Sequence, residues 1–221
     1  MNQLHLTQRS GGLYNRGGLI TSEDTSSSIQ TATYLNCTGA SNSFVSCPND
    51  TRFNVSNSLD IRVLVSIDNW ASIATTQTLV AKGVGANSNL SYVFRLKNNG
   101  KLEFAWSTGG TSATTTTVTS NTYNVTTEGR MGLWLRVVLT LQDSNNSNNY
   151  TVTFYRSESN SNYEYVDSSY GSTSTTVFSG TAVLKIGAQD GTTPNVATAK
   201  FHRVLIYNNN VLVANPYFEN I

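Results

Sequence analysis

This chain is short of the features that mark most functional classes. Charged residues are only 12% of its 221 positions, and 14 Lys and Arg against 13 Asp and Glu leave a formal net charge of +1. With the cations scattered rather than clustered, no basic field exists for nucleic acid, and nucleic-acid binding is not expected. No apolar run approaches the roughly 20 residues needed to cross a bilayer, so membrane insertion is not expected either. The opening MNQLHLTQRSGG lacks a signal-peptide core, so the chain is expected to be made and kept without secretion, and its Asn-x-Thr triplets to carry no glycan.

Histidine is nearly absent, with only His5 and His202, which leaves little material for a His-activated nucleophile. The acids are equally unhelpful to a hydrolase. A glycosidase needs two carboxylates facing one another across a sugar, and no Glu-x-Asp-x-Glu alternation occurs; only Glu164 and Asp167 are close, in the polar stretch SNYEYVDSSY, which reads as a solvated loop. The chain is not expected to be an enzyme. Cysteine is limited to Cys37 and Cys47, flanking the turn TGASNS of what reads as a short hairpin. A disulfide between them is sterically open, but two reduced, partly buried thiols are favoured in a protein assembled in a reducing compartment. Two thiolates without a nearby histidine do not complete a zinc shell.

What is abundant is Asn, Ser and Thr, together more than a third of the residues, while runs of helix-favouring residues are missing. That composition is all-β. The clearest blocks are GLWLRVVLTLQ from Gly132 and YTVTFYRSE from Tyr150, joined by DSNNSNN. Leu133, Leu135, Val137, Leu139 and Leu141 share one face, Trp134, Arg136, Val138 and Thr140 the other, and the second block alternates in the same way: a long antiparallel hairpin. Leu59, Ile61, Val63, Val65 and Ile67 form a second inward ladder. Asn98-Asn99-Gly100 joins two further strands in a tight turn, and Asn208-Asn209-Asn210 a closing pair. About a dozen strands are expected in one domain over 31–221, preceded by an extended arm over 1–30 that has no sustained period. Either the arm is a frayed terminus, or it is a tether in which Leu4, Leu6, Leu13 and Tyr14 order on a partner surface.

The order of these blocks, from ATYLNCTGASNSFVSCPND through SLDIRVLVSIDNW, QTLVAKG, YVFRLKNNGKLEFAWS, LWLRVVLTLQ, YTVTFYRSE and LKIGAQDG to FHRVLIYNNNVLVANPYF, resembles the concanavalin A-like, laminin G-like jelly roll of tailed-bacteriophage structural proteins. The resemblance covers about Thr31 to Phe218. It implies an all-β, antiparallel jelly-roll β-sandwich. It also implies a non-enzymatic virion protein, such as a capsid decoration, head fibre or minor tail component. Its partners would be other virion proteins of capsid or tail, and it could form a homo-oligomer. The alternative reading is a carbohydrate-binding module or a host-surface glycan receptor-binding protein, since one fold serves many roles. No cofactor is expected except calcium, which such domains hold at the rim; Asp68 and Asp190 are the metal candidates, each equally suited to an Asx turn. For a glycan, an exposed ring must stack on a pyranose. Tyr163, Tyr165, Tyr170 and Trp106 are the candidates, although Trp106 continues the Leu102 and Phe104 face and reads better as core.

Overall fold

Residues 34–70, 72–84, 89–121, 132–143, 148–189, 196–216 and 218 are described by the computed structural model of the chain. The arm with Leu4, Leu6, Leu13 and Tyr14, and the metal candidate Asp190, lie outside these residues.

Thirteen strands are described, running β1 (Leu35–Thr38), β2 (Val45–Cys47), β3 (Ser58–Ser66), β4 (Gln77–Lys82), β5 (Tyr92–Leu96), β6 (Leu102–Ser107), β7 (Thr115–Thr119), β8 (Leu133–Asp143), β9 (Asn148–Ser157), β10 (Glu164–Gly171), β11 (Leu184–Ile186), β12 (Thr198–Asn208) and β13 (Val211–Ala214). They form two antiparallel sheets packed face to face, a jelly-roll β-sandwich. One sheet has seven strands, in the order β1-β12-β3-β8-β9-β10 with β13 paired to β12; the other has six, in the order β2-β11-β4-β5-β6-β7.

The period-two ladders account for the core. On β3, Leu59, Ile61, Val63 and Val65 are at most 1% exposed, while Ser58, Asp60, Arg62, Leu64 and Ser66 face out. The inward set of β8 behaves likewise, and β8 pairs with β9 from Trp134 opposite Ser157 to Asp143 opposite Asn148, the long hairpin expected. From the facing sheet come Tyr92, Phe94, Phe104 and Trp106, all buried. Burying a side chain of this size stabilises a fold by roughly 1.5–3 kcal/mol, so the two ladders dominate its stability. The Asn98-Asn99-Gly100 turn forms as expected, with Gly100 at φ 76° and its amide bonded to the Lys97 carbonyl at 2.8 Å.

Two local expectations are corrected. The segment around TGASNS is not a hairpin: β1 pairs with β12 and β2 with β11, so the chain crosses from one sheet to the other between the cysteines. Turn composition marks a reversal but not which neighbour each arm finds. The stretch SNYEYVDSSY is not a loop either, because Glu164–Gly171 is β10, the edge strand of the seven-stranded sheet, bonded along β9. A bulge between Tyr165 and Asp167 and the exposure of one flank explain its polar spelling.

Candidate functional site

The outer face of the seven-stranded sheet gathers the polar and aromatic side chains that its strands point away from the core. Register decides which of them meet. Arg62 on β3 lies opposite Arg136 on β8, Arg136 opposite Tyr155 on β9, and Tyr155 opposite Tyr165 on β10. On the other side Leu205 of β12 lies opposite Arg62, and Tyr207 opposite Asp60. With strands about 4.8 Å apart, the row from β12 to β10 runs roughly 19 Å across the sheet.

Two arginines directly opposite on neighbouring strands would repel. Asp60 prevents this by accepting from both. Its Oδ2 takes Arg62 Nε at 3.1 Å and Nη2 at 2.8 Å, while Arg136 donates Nε to Oδ1 and Nη2 to Oδ2, both at 2.9 Å. The Asp60 side chain is 12% exposed and those of Arg62 and Arg136 21% and 22%, so this is a half-sheltered network rather than a loose surface pair. Burial would lower the Arg62 pKa, but the Asp60 hydrogen bonds and charge outweigh it and raise the value.

Tyrosine rings frame the cations. Arg62 lies 4.6 Å from the Tyr207 ring centre and 5.8 Å from that of Tyr163; Arg136 lies 5.0 Å from Tyr155 and 5.1 Å from Tyr163. Tyr163 is thus wedged between both arginines, and its hydroxyl donates to Asn160 Oδ1 at 2.7 Å. Burial pushes its pKa up to about 12 against the pull of the arginines, so it stays a neutral donor. Tyr155 meets Tyr163 and Tyr165 edge to face, each at 6.4 Å. Beyond this packed cluster Tyr165 and Tyr170 are open to solvent, at 63% and 67% exposure, on the same face of β10.

The structure therefore brings Tyr163, Tyr165 and Tyr170 onto one face and leaves Trp106 elsewhere. Trp106 is fully buried, stacked on Phe104 at 5.8 Å and edge-on to Tyr150 at 4.8 Å, so it cannot offer a ring to a ligand. Asp60, Arg62, Arg136, Tyr155 and Tyr207 were not foreseen. The available signal was the charge on the outward phase of two ladders whose inward phase is uninterrupted.

Glu164 is held by Arg156 at 2.8 Å, and Asp167 accepts the backbone amides of Asn121 and Ser168; the two do not face each other across a cleft. Ser66 Oγ and His202 Nε2 are 2.7 Å apart, a serine and histidine at hydrogen-bond reach. Burial and then the Lys200 charge lower the His202 pKa, and its ring packs on Tyr34. Among the described residues no carboxylate orients the other ring nitrogen. The Asp68 side chain is 85% exposed and paired with Lys200 at 3.3 Å. Among the described residues no three His, Cys, Asp or Glu side chains converge as a metal shell would require. Cys37 and Cys47 are free and buried, one in each sheet.

Neither a family model nor a curated protein matches the sequence. Solved structures do. The CBM40 of the Ruminococcus gnavus IT-sialidase is similar at 11% identity with a TM-score of 0.51, over 82% of this chain and 92% of that one. A botulinum neurotoxin type C structure, described by cell entry dependent on interaction with two ganglioside molecules, is similar at 11% identity with a TM-score of 0.52, over 77% of this chain and 37% of that one. Mouse laminin α1 chain domains LG4-5 are similar at 12% identity with a TM-score of 0.48, over 90% of this chain and 49% of that one. The chain thus spans about half of the laminin structure and little over a third of the toxin structure. At such identity the likeness is one of fold alone, an antiparallel jelly-roll β-sandwich.

Proposed function

We propose that the domain binds carbohydrate, through the outer face of its seven-stranded sheet. The observation that carries this reading is the pair of exposed rings, Tyr165 and Tyr170, standing beside a fixed array of donors on the same face. An exposed tyrosine supplies a flat apolar surface for a pyranose, and neighbouring polar groups fix its orientation. Similarity to a carbohydrate-binding module and to a toxin that interacts with gangliosides supports the same reading.

Tyr165→Ala and Tyr170→Ala test it on a glycan array. Each ring is largely solvated, so the variants should melt with the wild type while each weakens glycan binding about threefold to tenfold, the scale of one aromatic contact. Wild-type binding that survives both changes would move the site elsewhere.

A second reading places the domain on a tailed-phage particle, as a capsid decoration, head fibre or minor tail protein, where glycan binding would serve host recognition. It rests on the order of sequence blocks from ATYLNC to VANPYF and on the arm over 1–30. Mass spectrometry of purified virions should detect the chain, and removal of residues 1–30 should leave a folded domain that no longer incorporates.

A further inference from the structure

We infer that the ligand is an acidic saccharide, whose carboxylate is taken by the outward edges of Arg62 and Arg136 while an adjoining ring lies on Tyr165. This rests on the carbohydrate reading above and names the class of sugar.

The charge balance of the face is the first ground. Asp60 cancels one of two guanidinium charges, leaving the cluster at +1. Glu164, the next carboxylate along the row, is matched by Arg156. A neutral sugar can only accept hydrogen bonds from this cluster, whereas an anion would also balance its remaining charge.

Donor geometry is the second ground. Both arginines use the same side, Nε and Nη2, to hold Asp60. The end-on edge of each, formed by Nη1 and the second N–H of Nη2, donates to no other described residue. That edge presents two parallel N–H groups, the fork that matches a carboxylate. The rings of Tyr207, Tyr163 and Tyr155 have their centres 4.6–5.8 Å from the guanidinium carbons, and with the Asp60 bonds these neighbours restrain the forks before any ligand arrives. Restraint of this kind raises affinity by reducing what must be ordered on binding.

Position is the third ground. Arg136 and Tyr165 lie in one cross-strand row with only Tyr155 between them. They are roughly 10 Å apart along the sheet, two strand spacings. An acid group and a stacked ring one or two sugar units apart would satisfy both.

The experiment uses the whole chain on an array that holds polygalacturonate, alginate and hyaluronan, each beside its carboxyl-reduced form, together with neutral polysaccharides, chondroitin sulfate and its desulfated form. Binding should be confined to carboxylate-bearing members, and reduction of the carboxyl should weaken it at least about tenfold, as expected when a charge-assisted fork is lost. Arg136→Gln should weaken it similarly. Arg136→Lys, which keeps the charge but not the fork, should fail to restore it; full restoration would overturn the forked geometry. Equal binding to reduced or neutral sugars would overturn the acidic-ligand inference while leaving carbohydrate binding intact. Dependence on sulfate alone would overturn the carboxylate assignment. No binding to any member would overturn both.

Discussion

Replacing Asp60 with Asn separates the network from ordinary surface charge. The variant keeps the shape of the side chain but removes the charge that two guanidinium groups share, and turns one acceptor oxygen into a donor that faces them. One of the four charge-assisted bonds is lost if the amide nitrogen takes the place of Oδ1 and three if it takes that of Oδ2, and in either case Arg62 and Arg136 remain opposite each other without a counter-charge. Breaking a fully buried pair costs about 3–5 kcal/mol and an exposed one about 0–1 kcal/mol. With the Asp60 side chain 12% exposed and the two arginine side chains near one-fifth exposed, the intermediate value of about 2 kcal/mol applies. For a domain of this size that is a fall in Tm of roughly 4–8 °C. Differential scanning calorimetry at pH 7 measures it directly. Adding Arg136→Met to Asp60→Asn removes one of the unbalanced charges and should recover part of the loss, a coupling that independent sites do not show. A single variant melting within about 1 °C of wild type, or a double variant with no recovery, would refute the reasoning.

Three further outcomes follow from particular contacts. Burial pushes the Cys37 thiol up to about 12 and also raises that of Cys47, so Ellman's reagent at pH 8 should find no thiol in the native protein and two after denaturation; none after denaturation would mean a disulfide. Burial, with Lys200 nearby, lowers the His202 pKa, so below the ordinary value of about 6.5 the unfolded chain binds a proton the fold resists, and stability falls with pH. His202→Asn should flatten that part of the Tm profile between pH 7 and 5; an unchanged profile would refute it. Gly187 has φ +87°, and a Cβ there would sit 2.5 Å from Cys37 Sγ, so Gly187→Ala should destabilise by about 2 kcal/mol or more in urea unfolding, whereas a neutral result would refute the close approach.

The parts of this fold that could be read from the chain are those governed by local period. β3 and the β8–β9 hairpin were legible because every second residue is apolar and buried, which leaves one register that hides the ladder. β10 was not, because an edge strand needs only one covered flank: Tyr165, Ser168 and Tyr170 face out, while Glu164 and Asp167 find partners at the rim. Its spelling is that of a loop, and only pairing with β9 makes it a strand. The β1–β2 segment misled for a related reason. A reversal is encoded locally, but whether Cys37 lies opposite Cys47 or opposite Ala199 depends on strands more than 130 residues away.

The same distinction explains why Tyr163, Tyr165 and Tyr170 can be picked out from the sequence as candidates while Arg62 and Arg136 cannot. An outward Arg62 or Arg136 is by itself an ordinary solvated cation; nothing within ten residues of either implies the other. Long-range register places them on adjacent strands, and there a hydrophilic position becomes a strained one unless an acid sits within reach of both. Asp60, two residues before Arg62 on the same outward phase, meets that condition. Stability alone is a weak reason for such a network, since ion pairs taken out of water return little net stability. What the cluster does provide is two guanidinium groups pinned in place whose outer edges donate to no other described residue, the arrangement the proposed ligand would use. The inward ladders carry the stability, and the outward phase of the same strands is thereby left available for recognition.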